Sequence, residues 1–418
     1  MDKIIDNIQI KLQSIYNFFD YFLLVAIIAL TGSEFFYRDN IIIYMVLFPV
    51  SFMLFYYKVK KIPYKFLFFL GLLFVILFAQ SFIFNMSFFI PVTTTLRFFI
   101  YFMIASVIGL RFNKVYVNII YFICSYSIVL FLLTLISADF YNFLLQISQN
   151  ITSLNIDVES LSYIDSSNPS QSILFYVIPL RTVFRNNGPF WEPGMFAVFI
   201  NIALAINLIS NKTLFERKNI VFIIASITTL STTSFLTTFI ILLYHFIFKT
   251  NKRYSLFFLL IIPFVVIPIY NTDIIKGKFE YNTEIIDESA SRFGAALIHI
   301  NEIKKSPLIG LGVNSNKAQE ESLGELNVSP NGLTNLIRYY GIPFSILLFI
   351  LLYKAAIFLT TKNIFNSKGN GILLFIVFLF VTFSQDVSTR HFYYLIMMLP
   401  FSEIVFNENY ESKGTILK

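Results

Sequence analysis

The amino-acid sequence predicts an all-α integral membrane protein, and three observations predict it. The 418 residues are 57% hydrophobic, and their mean hydropathy is +0.73. Only 13% of them are charged, whereas a soluble domain averages about 25%. Long apolar runs alternate with short basic clusters along the chain. A soluble protein this apolar could not cover its own core, so the natural solvent for its surface is lipid.

About twelve transmembrane helices are expected, after an interfacial helix at residues 1–19. The interfacial helix is predicted because its apolar residues share one helical face opposite Lys3, Asp6 and Lys11. The spans are expected near residues 20–31, 40–57, 65–84, 90–110, 115–137, 190–209, 219–231, 234–248, 254–271, 333–358, 371–385 and 391–407.

The orientation follows from the basic residues between the spans. Cytoplasmic loops carry an excess of Lys and Arg, and placing these clusters inside puts the N- and C-termini in the cytoplasm. The clusters are Lys58, Lys60, Lys61, Lys65, Arg111, Lys114, Lys212, Arg217, Lys218, Lys249, Lys252, Arg253, Lys362 and Lys368. The net charge of +7 is spread over these loops and not pooled in a soluble domain, so no nucleic-acid partner is expected.

Residues 219–248 are an apolar stretch with a basic cluster at each end. One crossing would place one cluster outside, and the polar run from Ser231 to Ser234 stands at the midpoint. A hairpin of two short helices, with this run near the outer surface, is therefore predicted. The alternative is one long tilted helix.

Two large polar loops, at residues 138–188 and 272–332, then face outward. No internal repeat or separate soluble domain is evident, so residues 1–418 form a single polytopic domain. The one cysteine, Cys124, can form no internal disulfide.

The first loop ends in an unusual stretch, residues 185–194. It holds the only tryptophan together with two prolines, two glycines, Arg185 and Glu192, and Gly and Pro impose a defined turn. Glu192 opens an apolar helix, whose dipole favours an anion at that end. An Arg and a Glu at the lipid boundary suit a charged lipid headgroup. The alternative is an interfacial turn with a Trp anchor and an Arg–Glu pair.

The second loop contains a predicted helix at residues 290–305, with Ser289 or Ser291 as its N-cap. Arg292 and His299 fall on one face of this helix. Residues 306–312, Ser-Pro-Leu-Ile-Gly-Leu-Gly, break it. They are not a phosphate-binding glycine loop, because no strand precedes them and the lysine is missing.

Three further ionisable residues lie within or beside spans, namely Arg97, Arg338 and Asp386. A charge in the membrane is costly and is by default a functional hypothesis. Snorkelling or an internal ion pair is the alternative. The histidines are isolated and no acidic motif suits Mg or Mn, so neither a metal site nor a cofactor is expected.

These motifs resemble those of the bacterial lipid-linked oligosaccharide polymerases (Wzy-type O-antigen and capsule polymerases) and the related O-antigen ligases. The first motif is Arg185-x-x-Gly188 with Glu192-Pro193 ahead of an apolar helix. The second is Arg292 ahead of residues 306–312. The third is residues 331–336, Asn-Gly-Leu-Thr-Asn-Leu, followed by Tyr340-Gly341. Together with the twelve-span plan, they cover roughly residues 185–345.

The resemblance implies the fold of the C-type membrane glycosyltransferases and a metal-independent glycosyl transfer at the outer face of the bacterial cell (inner) membrane. The donor would be an oligosaccharide on undecaprenyl pyrophosphate. The acceptor would be a second lipid-linked repeat unit for a polymerase, or lipid A-core for a ligase. Membrane lipids and a chain-length regulator protein are the other implied partners.

Roles for individual residues follow from the resemblance. Arg185 and Arg292 match the family's loop arginines, which would stabilise the pyrophosphate leaving group, and Arg338 is a further candidate. Asn331 would orient a sugar or phosphate. A carboxylate would accept the acceptor hydroxyl proton, and both Glu192 and Asp386 remain candidates for this base.

Two other functions compete with the polymerase. Ligases of this group carry a His immediately before the Asn of the third motif, where this chain has Pro330, and His299 is distant in sequence. This departure favours the polymerase over the ligase. A flippase or transporter of lipid-linked sugars is the alternative outside enzymes. Transporters often show internal repeats and ionisable residues at mid-bilayer, whereas this chain shows no repeat and its most unusual charges cluster at the outer boundary, which favours outer-face chemistry.

Overall fold

The computed structural model describes residues 2–33, 40–152, 172–173, 175–179, 184–210, 213–249, 292–312, 331–360 and 367–414, and these are mostly helical. The helices described are α1 (Asp2–Gly32), α2 (Asn40–Lys58), α3 (Tyr64–Ile83), α4 (Phe89–Ile108), α5 (Phe112–Ile136), α6 (Ala138–Thr152), α7 (Pro193–Ser210), α8 (Arg217–Thr228), α9 (Thr232–Lys249), α10 (Arg292–Lys305), α11 (Gly332–Thr360), α12 (Ser367–Ser384) and α13 (His391–Gly414). Strands β1 (Ser172–Ile173) and β2 (Tyr176–Val177) pair antiparallel, with Ser172 opposite Val177.

Several of these helices are apolar enough for a membrane. Four continuous helical stretches have the length and composition to cross one: Tyr64–Ile83, Phe89–Ile136, Pro193–Ser210 and Gly332–Thr360. Four shorter apolar helices accompany them, at Asn17–Gly32, Ile43–Lys58, Thr232–Phe248 and Gly369–Ser384. A helical architecture compatible with a membrane protein is thus confirmed, while the number of spans and their sidedness stay predictions. The span predicted at 254–271 lies outside the described residues.

α7 occupies the centre of the bundle. Its hydrophobic 18-residue window is 94% buried, because it packs against α5, α8, α9 and α12. By contrast, α3 buries only 33% of its window and exposes Phe68, Val75 and Phe82. A helix that is apolar all round is either enclosed by its neighbours or faces lipid. α7 is of the first kind, and α3 fits the second.

The predicted interfacial segment at residues 1–19 is continuous with the span that follows it. α1 runs from Asp2 to Gly32 as one helix, so these residues do not form a separate element. Its position relative to a membrane surface stays a prediction.

Residues 219–248 form two helices and not one long helix, as predicted. α8 ends at Thr228, α9 begins at Thr232, and the two helices contact each other. Leu230 between them has a φ of +46°, a conformation that cannot continue a right-handed helix. At about 1.5 Å per residue, the 12 residues of α8 are shorter than the hydrocarbon core of a bilayer.

Both predicted polar loops contain regular structure. The loop at 138–188 includes α6 and the two short strands, and that at 272–332 includes α10. α10 confirms the helix predicted at 290–305 from Arg292 onward. The two serines proposed as its N-cap lie outside the described residues.

Candidate functional site

The three sequence motifs meet at one end of the helical bundle. Residues 184–192 lead into α7. Arg292 is the first residue of α10, and Asn331 directly precedes α11. A polar turn at 385–390 joins α12 to α13. Hydrogen bonds and side-chain contacts, described below, connect these segments. Five of the six predicted site residues carry a formal charge, and the structure brings them into one polar region.

The first motif is held in place by its own asparagine and glycine. Asn186 is fully buried, and its Nδ2 donates to Thr228 Oγ1 over 3.0 Å while its Oδ1 accepts from the Gly188 amide at 3.0 Å. Gly188 has a φ of +55°, and a Cβ there would lie 3.0 Å from the Phe196 ring. Glycine is therefore required at this turn by both conformation and space.

Arg185 and Arg292 lie close enough to Glu192 for its charge to act on both guanidinium groups. The Nε of Arg185 donates to the Thr229 carbonyl over 3.0 Å, and this is its only hydrogen bond among the described residues. Burial lowers the pKa of each arginine, the negative charge of Glu192 opposes that shift, and Arg292 lowers the pKa of Arg185 further. Arginine remains protonated in proteins, so two partly desolvated cations lie within the electrostatic reach of one carboxylate.

Arg292 also joins the second motif to the third. Its Nε donates to the Ser384 carbonyl over 2.9 Å, and its own carbonyl accepts from Asn331 Nδ2 at 3.3 Å. Asn331 Oδ1 accepts from the Thr334 amide at 3.2 Å, which is the geometry of an N-cap. Asn331 is fully buried, so the geometry favours a positioning role for this residue. The predicted contact with sugar or phosphate stays untested.

The turn at 385–390 packs between the first and third motifs. A Cβ on Gly194 would collide with the Gln385 side chain and lie 3.8 Å from Glu192 Cδ. A Cβ on Gly332 would lie 2.6 Å from the Gln385 carbonyl and 3.0 Å from Ser388 Oγ. Ser388 Oγ donates to the Gly332 carbonyl over 2.6 Å. Two glycines thus allow the turn to approach α7 and α11 closely.

A chain of alternating charges runs through this turn. Glu302 pairs with Arg338, and Arg338 donates to Asn335 Oδ1 over 3.2 Å. Asn335 Nδ2 then donates to Asp386 Oδ2 over 3.1 Å. The Nε of Arg390 donates to the Asp386 carbonyl over 3.0 Å.

This series of interactions ends at an aromatic ring, that of Trp191. The guanidinium of Arg390 lies 4.7 Å from the centre of the Trp191 ring, a cation–π contact. Trp191 donates its backbone amide to the Gly32 carbonyl over 3.3 Å. The tryptophan therefore connects the turn at 385–390 to the end of α1.

Arg338 and Asp386, two of the charged members of this chain, differ in exposure. Arg338 is 1% exposed and is neutralised by Glu302, so the geometry favours a positioning role over the predicted contact with substrate. Asp386 is partly exposed and also accepts from Thr389 Oγ1 at 2.8 Å. Burial raises the pKa of Asp386 above its usual value, although Arg390, Thr389 and Asn335 oppose the shift. A carboxylate of raised pKa is a stronger base.

The second and third motifs dock on each other through their glycines. α11 is interrupted at Gly341, where φ is +75° and ψ is 168°. The backbone carbonyls freed by this break are satisfied from residues 306–312, since Leu311 donates to the Arg338 carbonyl over 2.8 Å and Gly312 to the Tyr339 carbonyl over 3.1 Å. Gln80 Nε2 also donates to the Tyr339 carbonyl over 2.7 Å. The segment 306–312 therefore supplies the hydrogen bonds that α11 loses where it is interrupted.

His299 lies much closer to the third motif than the sequence suggests. Its Nδ1 is 2.7 Å from Thr334 Oγ1, one turn into α11. Burial, and secondly the charge of Arg338, lower the pKa of His299 to about 3. The imidazole is fully buried and neutral at physiological pH. The sequence separation from Asn331 was therefore a poor guide to distance, although the ring does not reach an exposed surface.

Sequence reasoning did not single out Gln385, Arg390 or Glu302 as members of the site. The available signal for the first two was the polar run Gln-Asp-Val-Ser-Thr-Arg between two apolar helices. Glu302 carried no signal, because its pairing with Arg338 spans two separate elements. Among the described residues, no group of three or more His, Cys, Asp or Glu side chains is arranged to hold a metal ion.

Comparisons with protein-family models, curated proteins and solved structures found no match for this chain. The assignment of function therefore depends on the site itself.

Proposed function

We propose that this chain is a membrane glycosyltransferase that polymerises undecaprenyl-pyrophosphate-linked oligosaccharide repeat units, for O-antigen or capsular polysaccharide. It would work at the outer face of the bacterial cell membrane, with twelve spans and both termini in the cytoplasm. The observation that carries the proposal is that Arg185, Arg292 and Glu192 lie in one polar region at one end of an apolar helical bundle, where the charge of Glu192 acts on both guanidinium groups.

This arrangement suits a pyrophosphate leaving group. Two guanidinium groups and one carboxylate, Glu192, leave an excess of positive charge in a partly desolvated place, which favours a polyanion. Arg185 uses only its Nε within the described residues, so its terminal amino groups remain available for phosphate oxygens. Planar guanidinium groups bind phosphate in bidentate fashion. Cations placed where charge develops stabilise the transition state without a metal.

The geometry also supports a division of roles between the two carboxylates. Glu192 interacts with both arginines and would balance their charge when no substrate is bound. Asp386 accepts hydrogen bonds from Asn335 and Thr389 and has a raised pKa. We therefore assign Asp386 as the base that receives the acceptor hydroxyl proton.

The experiment that tests the proposal compares transfer by single variants in membranes. Arg185→Ala and Arg292→Ala should each reduce polymer formation by about 100-fold or more, the effect of removing a donor to developing charge. Arg185→Lys and Arg292→Lys should recover little activity, because lysine lacks the planar fork. The matched control is Arg217→Ala, an exposed arginine at the far end of α8. Wild-type chain lengths in both alanine variants would contradict the assigned role.

The ligase remains the second candidate enzyme, because His299 does contact the third motif. The polymerase is preferred because this imidazole is fully buried and cannot touch an acceptor sugar. Products in a deletion strain separate the alternatives. Loss of a polymerase leaves single repeats on the final carrier, and loss of a ligase leaves long chains on undecaprenyl pyrophosphate. Loss of a flippase strands single repeats on the inner leaflet.

A further inference from the structure

Arg97 is an exposed cation in the middle of an apolar helix. It lies eight residues after Phe89, where α4 begins, which is about 12 Å along the helix axis. The side chain is exposed, and its exposed neighbours on the same helix include Val92 and Leu96. No salt bridge to Arg97 occurs among the described residues.

Among the described residues, Arg97 contacts an aromatic ring. Its guanidinium carbon lies 5.4 Å from the centre of the Tyr44 ring on α2. Tyr44 is itself held in place, since its hydroxyl is 2.6 Å from the Tyr101 hydroxyl and 2.8 Å from His391 Nδ1. The Tyr101 hydroxyl is also 2.6 Å from His391 Nδ1. This triangle of polar groups holds the Tyr44 ring in place beneath the guanidinium.

The support connects Arg97 to the candidate site. His391 directly follows Arg390, the residue stacked on Trp191, and the charges of Arg97 and Arg390 both act on the His391 ring. The polar groups beneath Arg97 therefore include His391, which is continuous along the chain with the turn at 385–390.

We infer that Arg97, supported by Tyr44, binds the phosphate of a lipid on the membrane-facing surface of the bundle beside the site. A planar guanidinium suits phosphate oxygens, and a charge on an apolar helix is costly unless an anion accompanies it. The apolar residues around Arg97 suit a hydrocarbon chain. We take the bound lipid to be a polyprenyl phosphate, and this choice rests on the proposed function. The phosphate of a phospholipid headgroup would be bound by the same chemistry.

The test measures lipid binding to the purified full chain by native mass spectrometry, with no sugar transfer involved. The probes are undecaprenyl phosphate, dioleoylphosphatidylglycerol and, as the phosphate-free lipid, dioleoylglycerol. Arg97→Gln should weaken binding of the phosphate lipid by about tenfold, and Arg97→Lys by less. Arg217→Gln, the same change at an exposed arginine on α8, should leave binding unchanged.

The pattern across the probes decides the source. Weaker binding of undecaprenyl phosphate alone supports a site that receives substrate lipid, and weaker binding of both phosphate lipids supports a phosphate site that accepts either. Weaker binding of phosphatidylglycerol alone supports the phosphate site and assigns it to phospholipid. Unchanged binding of both in Arg97→Gln overturns the inference. Because no glycan is involved, this result is independent of whether the chain is a polymerase.

A second measurement needs no variant. A photoreactive polyprenyl-phosphate analogue is cross-linked to the wild-type protein, and the modified peptide is mapped. Attachment to α4 or to the first turns of α2 supports the inference. Attachment confined to other helices contradicts it.

Discussion

Replacement of Gly341 by alanine tests how the second and third motifs are joined. Gly341 has a φ of +75°, and a Cβ there would lie 2.5 Å from the Leu308 carbonyl oxygen and 2.8 Å from the Gly310 amide. Both atoms belong to backbone and cannot rotate away. Gly341→Ala should therefore push residues 306–312 off the break in α11.

The magnitude follows from two contributions. A backbone conformation reserved for glycine costs a residue with a Cβ about 1–3 kcal/mol. Overpacking against fixed atoms costs about 1–3 kcal/mol more. The sum of about 2–6 kcal/mol is large beside the marginal stability of folded proteins, and it should appear as a fall of several degrees in the thermal midpoint of the purified protein in detergent.

Gly71 offers the matched control within the same protein. It lies in α3, and a Cβ there would meet no heavy atom within 4 Å. Gly71→Ala should leave the midpoint unchanged or raise it slightly, because alanine favours the helix by about 0.5–1 kcal/mol. Equal midpoints for Gly341→Ala and Gly71→Ala would refute the argument that Gly341 holds these motifs together.

Three further predictions concern chemistry and topology. Asp386→Asn should lower the transfer rate by about 100-fold or more. Wild-type activity should fall as the pH is lowered through the raised pKa of Asp386, because a base must be ionised to accept a proton. A rate for Asp386→Asn equal to that of the wild type would assign the base to Glu192 instead. Transfer of lipid-linked repeats by the purified protein should persist in EDTA, and loss that Mg or Mn restores would show that a metal takes part. Residues 231–234 are predicted to lie near the outer surface, because the α8–α9 turn lies at the same end of the bundle as Arg185. Ser231 itself is buried, so the partly exposed Thr233 is the residue to replace: in a chain with Thr233→Cys, an impermeant thiol reagent added outside intact cells should label the cysteine. Protection there, with outside labelling of Asn251→Cys, would rule out the proposed orientation.

The helical architecture could be predicted from the sequence because it depends on composition and local pattern. Apolar runs of about 20 residues predict helices that suit a bilayer, and the ends of α3, α7 and α11 fall near the expected positions. The break between α8 and α9 was predicted from the charge clusters and the polar run at 231–234. The separate interfacial helix at 1–19 was not observed, because helix periodicity alone does not show where one helix ends and the next begins.

Only some of the residues in the candidate site could be predicted from the sequence. The motifs identify Arg185, Glu192 and Arg292 as candidates. That these three residues lie in one region follows only from the tertiary structure. The pairing of Arg338 with Glu302, the use of Asn331 as an N-cap and the approach of His299 to Thr334 were decided by packing between elements distant in sequence. Residue type and spacing determine which groups can ionise or bind phosphate. Which of them remain exposed to a substrate, and which neutralise one another, depends on contacts that only the tertiary structure fixes.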